Sequence, residues 1–534
     1  MHLQYIQMST LSIKKPEFQL MNVLSSKLKH FALLLMLYSI TTSLHSQITF
    51  SNGLNAVCID KNYENIAYGD TVKLLKMRYD DWTGFILYDL YNKKNRKIIS
   101  IEEPQLKYFA FTKASNINDL WELRCLQYGI YRNLLKNGYQ YSLRNEMELN
   151  SIDYTNALIN SGRVFNDDYF EDYLYQLTNK IHSSSLNNNR PGNIQIKVIY
   201  DIKPNALCLP NGTICITTGL LTAIQSESEL VAIIAHEIAH LELDHNIVSY
   251  NLEADRKKRA ESWALFATVL AAGIDISTSI KGKNPLPGVL TYSTAVLAST
   301  ISNEVLKNLG LKFSREQEIQ ADKSSKEILR ILGYDTLALS SALSRIKAYN
   351  VSTGNYMDLS ESGTHPDIDE RIKGLGTIDE SIQFVDNGYL KKVSNIITYN
   401  ASIELWSFGH LNTSLELVNR NINTGVACET DYLISAIIKR RMSDTKESNL
   451  EVIQLLEKAK SLNVNYTSTI YKELGISYLR LSNKVEAKSN LTLYLTKLIE
   501  IRDRNEIKEI KNSNQILADE IEWTQRMIFK VDKL

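Results

Sequence analysis

Cysteine, proline and glycine are all scarce here, and there is no net charge. The 534 residues hold 5 Cys, too few to staple a chain of this length with disulfides. With 8 Pro and 22 Gly, turn-rich β architecture is disfavoured and long regular elements are expected. Lys+Arg 60 balance Asp+Glu 60, which argues against a chain that grips nucleic acid or an anionic membrane by bulk charge. The hydrophobic share is an ordinary 44%, so a packed core is feasible and wholesale disorder is not expected. At ~150 residues per domain, the length points to roughly three domains.

Lys27, Lys29 and His30 precede the short apolar run Phe31–Ile40, and small or polar residues follow to Ser46. A basic flank, a short apolar centre and small residues beyond it read as a secretory signal peptide over 1–46, with a mature chain starting near Gln47. The alternative is an N-terminal anchor, for which the run is short. No cysteine follows the run closely, which argues against a lipid-modified cysteine. Export would place the chain in an oxidising compartment.

Residues 47–150 read as a small α+β domain. Strands are expected at Val72–Met77, Gly84–Leu90, Lys97–Ile101 and Lys107–Thr112, then a helix near Asp119–Leu135. Residues 151–380 carry nearly all the motif chemistry, with a polar loop at Ser183–Arg190 before a strand at Ile194–Tyr200. From Asp367 onward there is no proline and the apolar spacing is helical. Tyr471, Leu474, Gly475, Tyr478, Ala487 and Leu491 have the spacing of a tetratricopeptide helix-turn-helix unit, and Tyr432, Ala436, Leu455 and Ala459 form a weaker copy. Residues 381–534 are therefore expected as an α-helical repeat region, and the chain as mainly α with small β parts.

The chemistry-bearing pattern is His236-Glu237-Ile238-Ala239-His240. Ser226 and Glu229 mark a capping-box helix start ahead of the apolar run Leu230–Ala235. Residues four apart on a helix share a face, about 5–6 Å from each other. Two imidazoles at that spacing can hold one Zn²⁺. Glu237, rotated ~100° from His236, belongs beside the metal as general base for the attacking water. Apolar neighbours would bury all three groups, which is costly without a metal or partners. His245 is five residues beyond His240. On a continuing helix it turns ~140° away, which makes it structural or a support for a ligand rather than a ligand.

A third ligand is expected in Phe313–Asp322. Ser314 and Gln317 form a second capping box. Glu318 and Asp322 share a helix face, so Glu318 can ligate while Asp322 accepts a proton from a ligand imidazole and fixes its tautomer. A solvated acidic face is the plainer reading of these two carboxylates.

HEIAH followed by SREQEIQAD resembles the gluzincin zinc metallopeptidases of the CAAX-prenyl-endopeptidase and HtpX type. Pro204–Gly212 with Thr218–Leu221 looks like that family's hairpin before the metal helix, and Gly363–Arg371 looks like its T/S-H-P-x-x-x-x-R element. The motifs arrive in family order over about 170–375. The resemblance implies a zincin-type core, one Zn²⁺ per chain held by His236, His240 and Glu318, and hydrolysis of polypeptides. The export segment and the helical repeats draw the likeness towards periplasmic β-barrel assembly-enhancing proteases with tetratricopeptide repeats. That implies misfolded or stalled envelope proteins as substrates, and a protein partner recruited by the repeats. The rival reading is a chaperone or assembly factor whose proteolysis is latched or incidental.

Asn211-Gly212 is a tight-hairpin signal. In the family the strand edge there is thought to hold a substrate extended, which puts Asn205 and Ala206 at a substrate-binding edge; a purely structural hairpin is the alternative. Cys208 and Cys215 are symmetric about the turn, and a cross-strand disulfide is expected, with Cys58–Cys125 as a competing pair. His365 is either a latch on the open metal position or an oxyanion stabiliser; capping a following helix is the plainer role. The apolar stretches Trp263–Ile274 and Leu286–Ser302 read as a helical hairpin over the site or against a membrane surface, the alternative being a span.

Overall fold

The computed structural model describes residues 47–60, 66–160, 162–182, 194–251, 261–262, 264, 311–353, 365, 368–376, 385–463, 468–504 and 513–533. The expected signal peptide 1–46, the loop at Ser183–Arg190 and the stretches at 263–302, Ala264 excepted, lie outside them. Of Gly363–Arg371, His365 and Ile368–Arg371 are described. The chain divides into two compact units, one of residues up to Lys113 with Tyr131–Tyr139, the other of Ala114–Ile130 with the chain from Gln140 onward.

The first unit is built on an antiparallel sheet of β1 (Gln47–Cys58), β2 (Thr71–Tyr79), β3 (Ile86–Asn92), β4 (Lys97–Glu102) and β5 (Phe109–Phe111), in the order β4-β3-β2-β1-β5. The β2 residues Val72, Leu74 and Met77 point inward. They straddle a register shift between Leu74 and Lys76, and the extra residue moves the buried face from even to odd positions. β1 has no counterpart in the sequence reading. Its pairing with β2 is itself offset between Thr49 and Leu54, so no unbroken alternation marks it. Gly53 sits in that offset at φ +67°, and a Cβ there would lie 2.9 Å from the Leu74 carbonyl oxygen. The strand expected at Lys107–Thr112 is shorter, because a 3₁₀ turn with proline in its first two positions runs through Glu103–Tyr108. The single helix expected at Asp119–Leu135 is two, α1 (Ile117–Gln127), which belongs to the second unit, and α2 (Ile130–Asn137), whose residues from Tyr131 belong to the first. Gly129, at φ +76°, breaks it.

The second unit continues with α3 (Tyr141–Asn160), β6 (Val164–Phe165), α4 (Asp168–Ile181), β7 (Gln195–Ile199), β8 (Ala206–Cys208), β9 (Thr213–Thr217), α5 (Thr218–Ala223), α6 (Glu227–Glu242) and α7 (His245–Asn251). Its sheet runs β6-β7-β9-β8, with β7 and β9 parallel. Tyr154, Leu158, Val164, Ile199, Leu207, Leu209, Cys215 and Leu311 form one buried cluster. The β8–β9 turn is closed by Gly212 N–H on the Leu209 carbonyl at 2.9 Å, with Gly212 at φ +84°. Leu207 pairs with Cys215, and Cys208 with Ile214. The expected Cys208–Cys215 disulfide does not form: a one-residue offset puts the two side chains on opposite faces. No disulfide links any of the five cysteines, so Cys58–Cys125 is absent too.

Further along the chain come α8 (Arg315–Leu332), α9 (Ala338–Ser352), α10 (Ile368–Leu375), α11 (Asn387–Lys392) and α12 (Ser394–Ile403), the last running into a π-helical turn at Glu404–Phe408. Then α13 (Leu411–Asn423), α14 (Glu429–Met442), α15 (Lys446–Leu462), α16 (Thr469–Arg480), α17 (Lys484–Asp503) and α18 (Ser513–Lys533) pack in sequence, each on the next. The molecule is thus mainly α with small β parts.

α6 is buried on nearly every side, and Leu230–Ala235 are buried without exception, as in a central helix. Ser226 caps it by accepting the Glu229 N–H. The Glu229 carboxylate does not complete the expected box; it receives Gln225 N–H, Ser341 Oγ–H and Arg345 Nε–H instead, because a fully buried carboxylate needs charged and polar partners. α8 has its box complete, Gln317 N–H on Ser314 Oγ and Ser314 N–H on Gln317 Oε1. It packs along α6, where Ser325 Oγ donates to the Ala232 carbonyl at 2.7 Å.

Candidate metal centre

Helical spacing on α6 brings the two imidazoles together. His236 Nε2 and His240 Nε2 are 3.1 Å apart. From α8, Glu318 reaches both, with Oε2 3.4 Å from His236 Nε2 and Oε1 3.5 Å from His240 Nε2. His236, His240 and Glu318 are 3%, 0% and 1% exposed. At zinc–ligand distances of ~2.0–2.2 Å, tetrahedral neighbours lie roughly 3.3–3.5 Å apart, so these separations fit one ion.

His365 completes the group. Its Nδ1 is 2.9 Å from Glu318 Oε1 and 3.4 Å from His236 Nε2, and its Nε2 is 3.3 Å from Glu237 Oε1. The four side chains His236, His240, Glu318 and His365 each place a ligand atom within 4.8 Å of the others. Glu237 is buried at their edge, and its Oε2 has no hydrogen-bond partner.

Asp322 lies behind His236, its Oδ1 3.0 Å from Nδ1. Arg371 on α10 bridges the carboxylates, with Nη2 2.7 Å and Nε 3.0 Å from Asp322 oxygens and Nη1 3.0 Å from Glu318 Oε2. The sequence reading quoted Arg371 within its motif but gave it no part; the signal was a fixed offset of six from His365. Phe313 was missed altogether. It stacks on the His240 ring, centroids 3.7 Å apart and planes at 19°, and nothing in the sequence separates it from an ordinary apolar residue ahead of a helix.

His245 is not where a continuing helix would put it. α6 stops at Glu242, Asp244 takes φ +53°, and the chain turns back. His245 Nδ1 then sits 2.9 Å from His240 Nδ1, on the side of that ring away from the ligand atoms.

The electrostatics follow from burial and pairing. Burial pushes the Glu318 carboxyl up, but His365 and Arg371 outweigh it and hold Glu318 well below the usual range. Asp322 is also held low against burial, by Arg371 and His236. Burial and the Arg371 charge push His236 down, while Asp322 and Glu318 more than compensate and leave it raised. Burial likewise opposes the charge on His365, yet Glu318 and Glu237 raise it to about 10. Burial holds His240 well below its ordinary value and lowers His245 to about 4. Glu318 and Asp322 face the Arg371 guanidinium, and Glu237 faces the His365 imidazole. With a cation bound, both ligand imidazoles must be neutral. The donor set of two imidazoles and a carboxylate suits zinc.

Asn205 and Ala206 lie at the start of β8, which is at the edge of its sheet and packs on α6. The Asn205 main chain is tied to β9, its N–H donating to Thr217 Oγ1 at 2.9 Å and its carbonyl accepting from Thr217 N–H at 3.0 Å, and Ala206 lies opposite Ile216.

Residues 172–379 match the family model of peptidase family M48. A Vibrio cholerae protein named "Putative beta-barrel assembly-enhancing protease" is 26% identical over 193 residues, covering 36% of this chain and 36% of that one. The Schizosaccharomyces pombe protein "Mitochondrial metalloendopeptidase OMA1" is 28% identical over 183 residues, 34% of this chain and 45% of its own. "Metalloprotease LoiP" of Escherichia coli is 25% identical over 181 residues, 33% of this chain and 60% of its own. The match thus spans less than two thirds of each of these relatives.

Proposed function

We propose, from the premise that residues 172–379 are a peptidase family M48 domain, that this chain is a zinc-dependent endopeptidase. The observation that carries the reading is the fit of His236, His240 and Glu318 to one tetrahedral ion, with Glu237 buried beside it. These three side chains would hold one Zn²⁺, which when bound would supply Lewis acidity towards the attacking water and the scissile carbonyl. Glu237 takes the proton from that water and delivers it to the leaving amine, and its unpartnered Oε2 is the atom free to do so. Asp322 accepts the Nδ1–H of His236, which leaves Nε2 of that ring for the metal. Arg371 holds both α8 carboxylates in place.

His365 stands over these groups as a latch. Its imidazole rests on Glu318 and Glu237, where water and a substrate carbonyl would have to enter. That contact also favours the second reading, an assembly factor whose proteolysis is held off at rest. A substrate would lie extended along β8, beside Asn205 and Ala206, by main-chain pairing. Substrates are misfolded or stalled envelope proteins, and the helical region 381–534 recruits a protein partner. The likeness to a protein named for beta-barrel assembly supports the substrate reading, and the spaced pattern from Tyr471 to Leu491 supports the partner. Among the described residues no helix is long and apolar enough to cross a membrane. The chain is exported to the periplasm and cut near Gln47, which N-terminal sequencing of the mature protein checks.

The deciding experiment pairs metal analysis with casein hydrolysis. The chain should carry about one zinc, lose hydrolysis to a chelator and regain it on zinc addition. Glu237→Gln should keep the zinc and lose roughly 10²–10⁴-fold in rate. Full rescue of a deletion phenotype by Glu237→Gln would favour the assembly-factor reading.

A further inference from the structure

α8 touches both faces of the metal-binding pair. Asp322 serves His236 directly, at 3.0 Å from its Nδ1. His240 has no carboxylate at its Nδ1; the partner there is His245, at 2.9 Å. The far nitrogen of His245, Nε2, lies 3.1 Å from Gln320 Oε1, and Gln320 is on α8, two residues from both Glu318 and Asp322. Gln317, one turn earlier on the same helix, donates through Nε2 to the His245 carbonyl at 3.2 Å. One helix thus clamps His245 twice, at the ring and at the main chain.

The proton positions in this chain follow by elimination. Two imidazole Nδ1 atoms facing each other can bond only if one carries a proton. If His240 binds metal through Nε2, its Nδ1 must hold the hydrogen and donate. His245 then accepts at Nδ1 and carries its own hydrogen on Nε2. A Gln320 Oε1 acceptor at that nitrogen selects this tautomer.

The turn that delivers His245 is itself braced. Asp244 takes φ +53°, unusual for a residue with a Cβ. Arg144 on α3 grips its carboxylate with two bonds, Nη1–Oδ1 2.9 Å and Nη2–Oδ2 2.7 Å, both groups buried.

We propose that His245 is a positioning residue for the metal centre: aligned by Gln320 and Gln317, it fixes the tautomer and ring plane of His240, as Asp322 does for His236. The assignment rests on the metallopeptidase reading above and adds a second set of residues to it. Its consequence is that metal affinity depends on side chains that never touch the ion.

Zinc affinity of the full chain, measured by competition with a chromophoric chelator, tests this, alongside the melting temperature of the chelated protein. His245→Ala should weaken zinc binding about 10–100-fold. His245→Asn, whose side-chain oxygen can still accept from His240, should recover most of that loss. Gln320→Leu should weaken binding by a smaller factor in a protein that melts as the chelated wild type does, and so reads the same network if His245→Ala does not fold. Unchanged affinity in Gln320→Leu and in a folded His245→Ala, or an asparagine variant no better than alanine, overturns the positioning role and leaves the metallopeptidase reading standing. A wild-type chain that binds no zinc overturns both.

Discussion

Glu237, His365 and Asp244 each occupy a place that can be tested by one substitution. If His365 is a latch, His365→Ala should raise casein hydrolysis at unchanged zinc content. If it stabilises an oxyanion, the rate should instead fall by roughly 10²–10³, so the direction of change separates the two roles. Asp244→Ala removes one half of a buried bidentate pair and both hydrogen bonds that Arg144 makes to it. A loss of about 3–5 kcal/mol is expected in chemical denaturation, in place of the few tenths typical of an exposed loop. The candidate ligands were legible at this scale because helical spacing makes His236 and His240, and Glu318 and Asp322, neighbours before any tertiary structure exists. The direction of His245, not its reading as structural or a support for a ligand, was misplaced for the same reason: the rotation argument assumed a helix that Asp244 ends.

The close approach of α16 and α17 depends on Gly475. A Cβ there would lie 2.7 Å from Leu491 Cγ and 2.9 Å from its Cδ2, and Leu491 and Ala487 are fully buried. Alanine would gain roughly 1 kcal/mol of helix propensity, yet overpacking costs about 1–3 kcal/mol. Gly475→Ala should therefore be neutral to destabilising in wild type and stabilising once Leu491→Ala has made room. A double-mutant cycle in urea reads that change of sign. The small residue at this position was visible in the sequence as part of a spaced pattern, and the packing gives its reason. The disulfide expectation failed at the element scale. Symmetry about Asn211-Gly212 looked sufficient, but the Leu209–Gly212 turn centres the register one residue away.

At the scale of the molecule, two compact units imply two cooperative transitions. The metal belongs to the second. Chelation should lower that melting transition and leave the first in place, and zinc at ~1,000 times its dissociation constant should restore about 4 kcal/mol. Differential scanning calorimetry with and without chelator checks both statements. The helices after Val385 should melt with the metal site, because they are bonded to α5 in the same unit. Tyr389 O–H donates to the Leu221 carbonyl, Asn400 Nδ2 to Thr222 Oγ1 and Arg420 Nη1 to the Thr222 carbonyl, each at 2.7 Å.

From the sequence alone came the helical spacing of two imidazoles and of two carboxylates, the capped starts of their helices and the helical character of the C-terminal third. These are local properties, set by neighbours within a turn or two. Only tertiary structure decided that α8 lies along α6, that His365 and Arg371 close on the same carboxylates, and that His245 folds back behind His240. Those contacts join residues 47 to 135 positions apart, or depend on a left-handed turn, and no local periodicity records either.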